Sequence, residues 1–508
     1  MQSTTIEKDA HDLASFGYRQ RLDRTLGGFS AFAASFSYLS ILTGSSQLFH
    51  VGFGAGGPAF FWTWPVVFLG QFLVALCFAE LAARYPISGG VYQWSKSVGS
   101  GSVGWMAGWI YLACAVITLA SVALALQTTL PQISAAFQII GDAENPLDRA
   151  RNAVLIGCLA IVVSTWINAV GVRLLARINN VGVFTEMVAA LLLIGLLAWH
   201  AQRSPSIVLD THNHGATSPL GYLGPVLAAS LMASFVLYGF DTAGSLAEET
   251  DDPRTLAPRA ILWALGSVGI AGSVLVFVAL RAAPDLHDPE LSRGSGGLPY
   301  IVKGALGPTV GTPFLVAVVF SILVCTLTVH AAAVRLMFSM ARDGSLPFSN
   351  ALARVHEGSR TPTLPALVIG IAAALLLVVN VNFPKVVEVL ASVSIVWANL
   401  AYLFVTVPLL FQRIHRPELG HDREGFSLGR WGFAINLLAV LWGMAMVVNI
   451  GWPRPEIYGE KFPHRYAALI ATVLLLVVGW VYDRAFRRHQ SGILEEHRAA
   501  ERSEFDTI

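Results

Sequence analysis

Twelve apolar stretches, each about twenty residues long, recur along the chain and constrain its fold more than any other feature. A helix of about twenty apolar residues crosses a hydrocarbon core of roughly 30 Å. The 508 residues are 55% hydrophobic and only 13% charged, too few to cover a water-soluble fold. The sequence therefore predicts one all-α integral membrane domain with about twelve transmembrane helices. They lie near residues 28–51, 59–83, 104–132, 150–170, 178–200, 221–246, 259–282, 311–341, 363–382, 386–411, 431–450 and 466–482.

The distribution of basic residues predicts the orientation. With a cytoplasmic N-terminus, the loops and tails on that side hold most of the 33 Lys and Arg residues, as the positive-inside rule requires. We therefore expect a multi-pass protein of the plasma or inner membrane with both termini cytoplasmic. The cytoplasmic tails are 1–27 and 483–508, and their polar parts, residues 1 to about 25 and about 489 to 508, are expected to be flexible. The cytoplasmic clusters are Arg335, Arg342, Arg354 and Arg360; Arg413, Arg416, Arg423 and Arg430; and Arg484, Arg487 and Arg488.

Other function classes find little support in the sequence. The formal net charge of +1 gives no reason to expect nucleic acid. The four cysteines lie inside apolar stretches, and His212 and His214 form too small a cluster for a metal. There is no phosphate-binding P-loop and no paired His-Glu or Ser-His-Asp spacing within the segments. We expect no metal, no cofactor and no enzymatic activity.

Two of the apolar segments are interrupted by small and polar residues at membrane depth. Residues 36–47 of the first segment read FSYLSILTGSSQ, and residues 235–244 of the sixth read FVLYGFDTAG. Interrupted helices at matching places indicate a five-plus-five inverted repeat with a binding site at the breaks. Small residues also permit close helix packing, but the matched positions and the carboxylate of Asp241 favour the binding site. The repeats would cover about 28–200 and 221–411, and the peripheral helices about 431–482.

A broken helix offers two kinds of binding group. Free backbone N–H groups at the start of the second half-helix attract an anion such as a carboxylate, and free carbonyls can hold an ammonium or a metal cation. An amino acid carries both charges. The breaks therefore predict a carrier for an amino acid or a related small solute.

Three motifs in order carry a family resemblance. Residues 78–92, FAELAARYPISGGVY, are similar to the stretch AELAxxxPxSGGxY of the amino acid-polyamine-organocation (APC) permeases. Residues 239–241, 248–253 and 258–261 are similar to that superfamily's GFE…EExxNP…PRAI, and residues 341–347 to its ARDGxLP. The chain most resembles the amino acid/choline transporter branch, over about 22–485. The resemblance implies inverted repeats of five helices, two peripheral helices, and secondary active transport by alternating access without ATP.

The resemblance also implies a substrate site. Thr43, Gly44, Ser45 and Ser46 match the break of segment one, whose amides would cradle a substrate carboxylate. In segment six, Phe235 stands where relatives have an aromatic gate. Tyr238, Gly239 and Asp241 would line the second break. The family often has Glu in place of Asp241, so the carboxylate here is one methylene shorter.

Two carboxylates at membrane depth are candidates for coupling. An unpaired carboxylate in hydrocarbon is costly and usually marks a pathway or a relay, so we expect Asp241 to sense or relay a proton. The alternative is a helix-end carboxylate held by neighbouring hydroxyls. Glu186 of segment five stands near a position where some proton-coupled relatives have lysine. It has either a coupling role, by pairing or by binding a cation, or a structural one.

Further candidates lie in segment eight and at the cytoplasmic helix ends. Thr326 and Thr328 stand where sodium-coupled members of the wider fold supply hydroxyl ligands. His330 is either a proton shuttle or a packing residue. Three carboxylates are expected to pair with arginines such as Arg335 or Arg342 and to act in gating. They are Glu80, Glu248 and Glu249.

Several properties stay open at this stage. The solute can be a neutral or cationic amino acid, γ-aminobutyrate, choline or ethanolamine. We expect proton coupling or exchange, with a proton rather than sodium as the coupling ion. The alternatives are a sodium-coupled symporter and an ion channel.

Overall fold

The computed structural model describes residues 12–487 except 21, 23, 217, 357–360 and 416–424, together with residues 492–494 and 496–497. Four of the arginines predicted to lie on the cytoplasmic side are outside the described residues, namely Arg360, Arg416, Arg423 and Arg488. Within those residues the chain is helical and forms no β-sheet. The helices are α1 (Gly28–Leu39), α2 (Ile41–Gly56), α3 (Thr63–Arg84), α4 (Gly90–Val98), α5 (Gly101–Leu124), α6 (Leu126–Ile133), α7 (Pro146–Val170), α8 (Val172–Trp199), α9 (Leu223–Val236), α10 (Thr242–Ser245), α11 (Pro253–Ala282), α12 (Leu298–Arg342), α13 (Ser349–Leu352), α14 (Thr363–Val379), α15 (Val386–His415), α16 (Gly432–Gly451), α17 (Pro455–Tyr458), α18 (Phe462–Arg465) and α19 (Ala467–Tyr482).

Every predicted apolar segment overlaps at least one of these helices. In the described part of the chain, nine helical spans are long and apolar enough to cross a membrane, and α9 and α14 are shorter apolar helices. The first predicted segment is not among the nine because a break divides it into helices of 12 and 16 residues. The all-α membrane fold is thus confirmed, whereas the count of twelve and the inverted repeat stay predictions.

The outward surface of the helix bundle is apolar. Trp263 is 72% exposed and Phe184 66% exposed, each in the middle of a long helix. The most hydrophobic part of the span Ala467–Arg487 is only 11% buried. A water-soluble protein rarely exposes such continuous apolar surface, whereas a lipid bilayer solvates it well because the helix backbones satisfy their own hydrogen bonds. The chain is a multi-pass membrane protein.

One long helix is bent before it enters the core of the bundle. Helix α12 has non-helical dihedral angles at Gly307 (φ 72°, ψ 168°), and Pro308 follows directly. A proline ring clashes with the preceding turn of a helix, so the chain changes direction here. The straight part beyond the bend contains the predicted segment eight, residues 311–341.

The interrupted helices lie at the centre of the bundle. Helix α2 packs along α9, and α1 packs against α8 and α11, while α12 packs against α5 and α8. The approach of α2 to α9 depends on Gly44, because a Cβ atom there would lie 2.3 Å from Cγ2 of Val236. Both interruptions are therefore shielded from the lipid surface, where unsatisfied backbone groups would be costly.

Candidate functional site

The interruption of segment one is at Ser40. This residue has φ 34° and ψ 96°, and it separates α1 from α2. The prediction that Thr43, Gly44, Ser45 and Ser46 form the break was wrong by three residues, since these four lie in the first turns of α2. The reason is local capping: Ser40 Oγ accepts from the Thr43 amide, and the Ser40 carbonyl accepts from the Gly44 amide. A serine cap lets the helix begin before the Thr-Gly-Ser-Ser run.

The carboxylate of Glu186 occupies the start of α2. Its Oε1 accepts hydrogen bonds from Ser40 Oγ at 2.8 Å and from the Leu42 amide at 3.1 Å. The residue is 1% exposed and comes from the middle of α8. A negative charge is stabilised at the N-terminal end of a helix. The anion site predicted for a solute is therefore held by a side chain of the protein itself.

The interruption of segment six lies between α9 and α10, at residues 237–241. Gly239 has φ +90°, and a Cβ atom there would lie 2.0 Å from Cδ1 of Tyr38, so that only glycine fits against α1. Ser35 of α1 joins the two sides of this break. Its Oγ donates to the Phe240 carbonyl at 2.8 Å and accepts from the Ala243 amide at 3.0 Å. The two interruptions therefore support each other.

Asp241 is held by two tyrosines from other helices. Its Oδ1 accepts from Tyr111 Oη of α5 and from Tyr402 Oη of α15, both at 2.6 Å. Tyr402 Oη also accepts from the Gly239 amide at 2.9 Å. Asp241 is 1% exposed, and its Oδ2 has no hydrogen-bond partner among the described residues. The expected hydroxyls thus hold one oxygen and leave the other unpaired.

A small enclosed cavity lies between the two interruptions. Its volume is about 10 Å³, the space of roughly one water molecule. Four predicted site residues line it, namely Thr43, Gly44, Phe235 and Tyr238. The remaining lining residues are Tyr38, Leu39, Thr118, Val122 and Cys325. In this conformation the cavity is too small for an amino acid.

The sequence missed part of this site. Thr118 Oγ1 lies 2.7 Å from Tyr238 Oη, and the hydroxyl of Tyr38 is buried without a partner in the described part of the chain. Tyr111 and Tyr402 were also missed. Each is a polar side chain inside an apolar segment, a signal that sequence alone shares with ordinary packing residues.

The other coupling candidates are bonded within the helix packing. Thr326 Oγ1 donates to the Ile322 carbonyl of its own helix at 2.7 Å. Both ring nitrogens of His330 have partners: Nδ1 lies 3.1 Å from Ser164 Oγ, and Nε2 lies 3.0 Å from the Ala366 carbonyl. These contacts favour the packing interpretation for His330.

Buried ion pairs close one end of the bundle, which we call the inner end following the predicted orientation. Arg335 pairs with Glu249 at 2.9 Å, and Arg342 pairs with Glu248 at 2.7 Å. All four side chains are at most 2% exposed. The expected pairing of these glutamates with Arg335 and Arg342 is therefore present. Glu80 is shared between Arg84 and Arg413.

A third buried ion pair lies where described residues of the N-terminal and C-terminal tails meet. Lys96 pairs with Asp343 at 2.9 Å, and Tyr18 Oη donates to Asp343 Oδ1 at 2.9 Å. Leu13, Tyr18 and Ile87 form an apolar cluster with Leu494. Leu13, Tyr18 and Leu494 of the two tails are thus buried against the body, whereas flexible tails were expected. We call the three pairs Arg335–Glu249, Arg342–Glu248 and Lys96–Asp343, together with Tyr18, the inner seal.

The opposite, outer end has an open recess of about 490 Å³. Phe53 of α2 packs edge-on against His212, whose ring stacks on His287 at 4.8 Å. Burial lowers the pKa of His212; Asp210 opposes this, and the nearby His287 and His214 add to it. We call this space the outer recess; it is lined by Phe53, Asp210, His212, Asn213, His214, Leu286, His287, Asp288, Pro289 and Ser292.

One further pair lies between the outer recess and the cavity. His50 Nε2 of α2 stands 3.7 Å from Glu388 Oε1 of α15. Among the residues that the structure describes, no group of three or more His, Cys, Asp or Glu side chains is placed to bind a metal ion.

Comparison with known proteins gives a consistent result over nearly the whole chain. A family model described as amino acid permease matches residues 26–478. An amino-acid permease BAT1 homolog of Oryza sativa subsp. japonica is 26% identical over 467 residues, covering 87% of each chain. Amino-acid permease BAT1 of Arabidopsis thaliana is 25% identical over 492 residues, covering 93% of this chain and 94% of the relative. A putative amino acid/polyamine transporter of Macrophomina phaseolina is 26% identical over 434 residues, covering 82% and 93%.

Proposed function

Because this chain belongs to the amino acid permease family of the APC superfamily, we propose that it is a secondary active carrier that binds its solute between the two interruptions and works by alternating access. Family membership makes it an amino acid transporter and not an enzyme. It also disfavours the ion-channel alternative. The proposal adds a proton as the coupling ion, the cell membrane as the location, and cytoplasmic termini.

The enclosed cavity between the interruptions is the observation that carries this proposal. Thr43 and Gly44 reach it from the start of α2, and Phe235 and Tyr238 reach it from the end of α9. Two helices that move apart at their breaks would enlarge a cavity between them and open it to one side at a time. The solute carboxylate would lie near the start of α2, and the amine would lie towards the break of segment six.

Glu186 supports proton coupling at the carboxylate end. Its carboxyl group already accepts hydrogen bonds from Ser40 Oγ and the Leu42 amide. A solute carboxylate at the same helix end would bring two negative charges together in a buried site, which strongly favours protonation of one of them. Binding of the solute would then be linked to uptake of a proton by Glu186, in place of the lysine found in some relatives.

Asp241 is the proposed partner for the amine. Its Oδ2 is buried and unpaired in the part of the chain that the structure describes. A buried carboxylate oxygen without a donor is costly, and an ammonium group or a proton would relieve that cost. The outward-facing state would load the solute, since the inner end is closed by ion pairs.

Uptake by purified protein in liposomes tests the function. A panel of neutral and cationic amino acids, γ-aminobutyrate, choline and ethanolamine is offered while a proton gradient and a sodium gradient are imposed separately. We expect accumulation of at least one amino acid, driven by the proton gradient. Accumulation driven by sodium alone would overturn the proton assignment. Single-channel currents, in which many ions cross during one opening event, would overturn the carrier mechanism.

The variant Glu186→Gln tests the coupling site. A carboxamide keeps the size of the side chain but cannot bind a proton at neutral pH. We expect exchange of internal for external amino acid to persist while accumulation driven by the proton gradient is lost. Glu144→Gln, in an exposed loop, is the matched control and should accumulate normally. Unchanged gradient-driven accumulation by Glu186→Gln would contradict the role.

A further inference from the structure

The two oxygens of the Asp241 carboxylate differ in their hydrogen bonds. Oδ1 accepts two short hydrogen bonds, both from tyrosine hydroxyls at 2.6 Å. O–H···O contacts of about 2.5–2.7 Å are typical of donors to a charged acceptor. The geometry therefore fits an ionised carboxylate with its charge drawn towards one oxygen.

The donor and acceptor roles of the two tyrosines can be assigned from the contacts. A tyrosine hydroxyl has one proton to donate. Tyr402 Oη receives the Gly239 N–H, so its own proton is available for Asp241. The two hydroxyl oxygens lie 3.3 Å apart. When both hydroxyls donate to Oδ1, neither has a proton left for a hydrogen bond to the other. We call Tyr111 and Tyr402 together the tyrosine clamp.

The geometry points to Tyr111 and Tyr402 as positioning residues for transport: the tyrosine clamp saturates Oδ1 of Asp241, so that a solute ammonium group or a proton is received at Oδ2 alone. This inference rests on the proposed role of Asp241 and deepens it. It names the receiving atom and the chemical class of its ligand, a primary ammonium or a proton.

The clamp also links three elements that must move in the cycle. Tyr111 belongs to α5, Tyr402 to α15, and the Gly239 amide to the break of segment six. Hydrogen bonds to a charged group are roughly twice as strong as those between neutral groups. When Oδ2 takes a proton, both tyrosine bonds weaken together and α5 and α15 are released from the break. The other titratable groups facing this carboxylate are Tyr38 of α1 and Cys114 of α5.

The test uses full-length protein in liposomes and an amino acid identified in the uptake panel. Initial uptake rates are measured against external pH for Tyr111→Phe, Tyr402→Phe, the double variant and Asp241→Asn. Loss of one donor makes the ionised carboxylate less stable, so we expect each single variant to move the midpoint of the pH profile upward by about one pH unit. The double variant should move it further. The concentration for half-maximal uptake should rise more than the maximal rate falls.

A matched control separates this effect from the loss of any buried hydroxyl. Tyr458 is fully buried, and its Oη donates to the Ile450 carbonyl away from the cavity. Tyr458→Phe should leave the pH midpoint unchanged. If a phenylalanine variant fails to fold, 3-fluorotyrosine at positions 111 and 402 replaces it. This stronger donor should move the midpoint downward.

The outcomes separate the inference from the function on which it rests. An unchanged midpoint in all folded clamp variants, with an altered midpoint in Asp241→Asn, overturns the clamp and leaves the role of Asp241. Unchanged rate and pH dependence in Asp241→Asn overturns both. Shifts in opposite directions for phenylalanine and 3-fluorotyrosine support the clamp, because a merely structural role would not change sign.

Discussion

The inner and outer ends of the molecule are built from different chemistry. The inner seal consists of Tyr18 and three ion pairs whose side chains are at most 2% exposed. At the outer end, the contacts are aromatic and histidine rings around the open outer recess, with His50 and Glu388 beneath it. Opening the inner end must expose charged groups that water then solvates, whereas opening the outer end separates mainly apolar rings. In the proposed alternating-access cycle we therefore expect the inner end to cost more free energy to open than the outer end.

The largest expected effect comes from breaking one of the fully buried ion pairs of the inner seal. Arg335→Met leaves the Glu249 carboxylate buried without its partner. We expect a loss of about 3–5 kcal/mol, seen as a much lower thermal unfolding midpoint in detergent and little uptake. The double variant Arg335→Met/Glu249→Leu should recover most of the thermal stability, because an apolar pair of similar size replaces the ions. If Arg335→Met were as stable as the parent protein, the inner end would not be held more firmly than the outer end.

A smaller effect is expected where the N-terminal segment joins the inner seal. Tyr18→Phe removes the hydroxyl bonded to Asp343 but keeps the ring beside the Arg342 guanidinium, which lies 4.4 Å from its centre. A hydrogen bond to a charged group contributes about 1.5–3 kcal/mol. We expect the thermal unfolding midpoint in detergent to fall, but by less than in Arg335→Met. A midpoint equal to that of the parent protein would show that the Tyr18 hydroxyl does not stabilise the seal.

The pair beneath the outer recess should matter less. His50 and Glu388 are 3.7 Å apart, and the Glu388 side chain is 22% exposed, so water screens their interaction. Glu388→Gln should cost at most about 1 kcal/mol, with a modest change in uptake. A loss as large as that of Arg335→Met would place a second rigid seal at the outer end.

The smallest effect concerns the loops around the outer recess. Burial lowers the pKa of His212, so the packed, neutral ring is favoured above the ordinary histidine pKa of about 6.5 and the packing weakens as pH falls below it. The hydrogen-exchange protection factors of residues 205–214, corrected for the intrinsic exchange rate at each pH, should fall between about pH 7.5 and pH 5. His212→Gln should remove most of that pH dependence. An equal fall in the variant would show that His212 is not its cause.

The sequence predicted the framework better than the contacts within it. Apolar length and the positive-inside bias depend on local composition, so the helices appear where the segments were placed. The break of segment one lies at Ser40 because this residue caps α2 three residues before the predicted position. The hydrogen bond from Ser40 Oγ to Glu186 joins distant helices and is not encoded in the local sequence. Gly239 indicated the break of segment six from the local sequence, and the break lies between α9 and α10 as expected. Tyr111 and Tyr402 meet Asp241 only through packing of distant helices, which no local pattern encodes.

The meeting of the two tails has a practical side. Gly17 lies against His497, and Gly492 lies against Lys96 and Asp343. Affinity tags or fluorescent proteins are usually attached to chain ends on the assumption that these are inert handles. In this permease, a bulky group attached close to Gly17 or Gly492 would disturb the residues of the inner seal. A tag in the exposed loop 142–145 avoids that contact, and a pair of dyes near residues 17 and 497 would test whether the inner end opens during the proposed cycle.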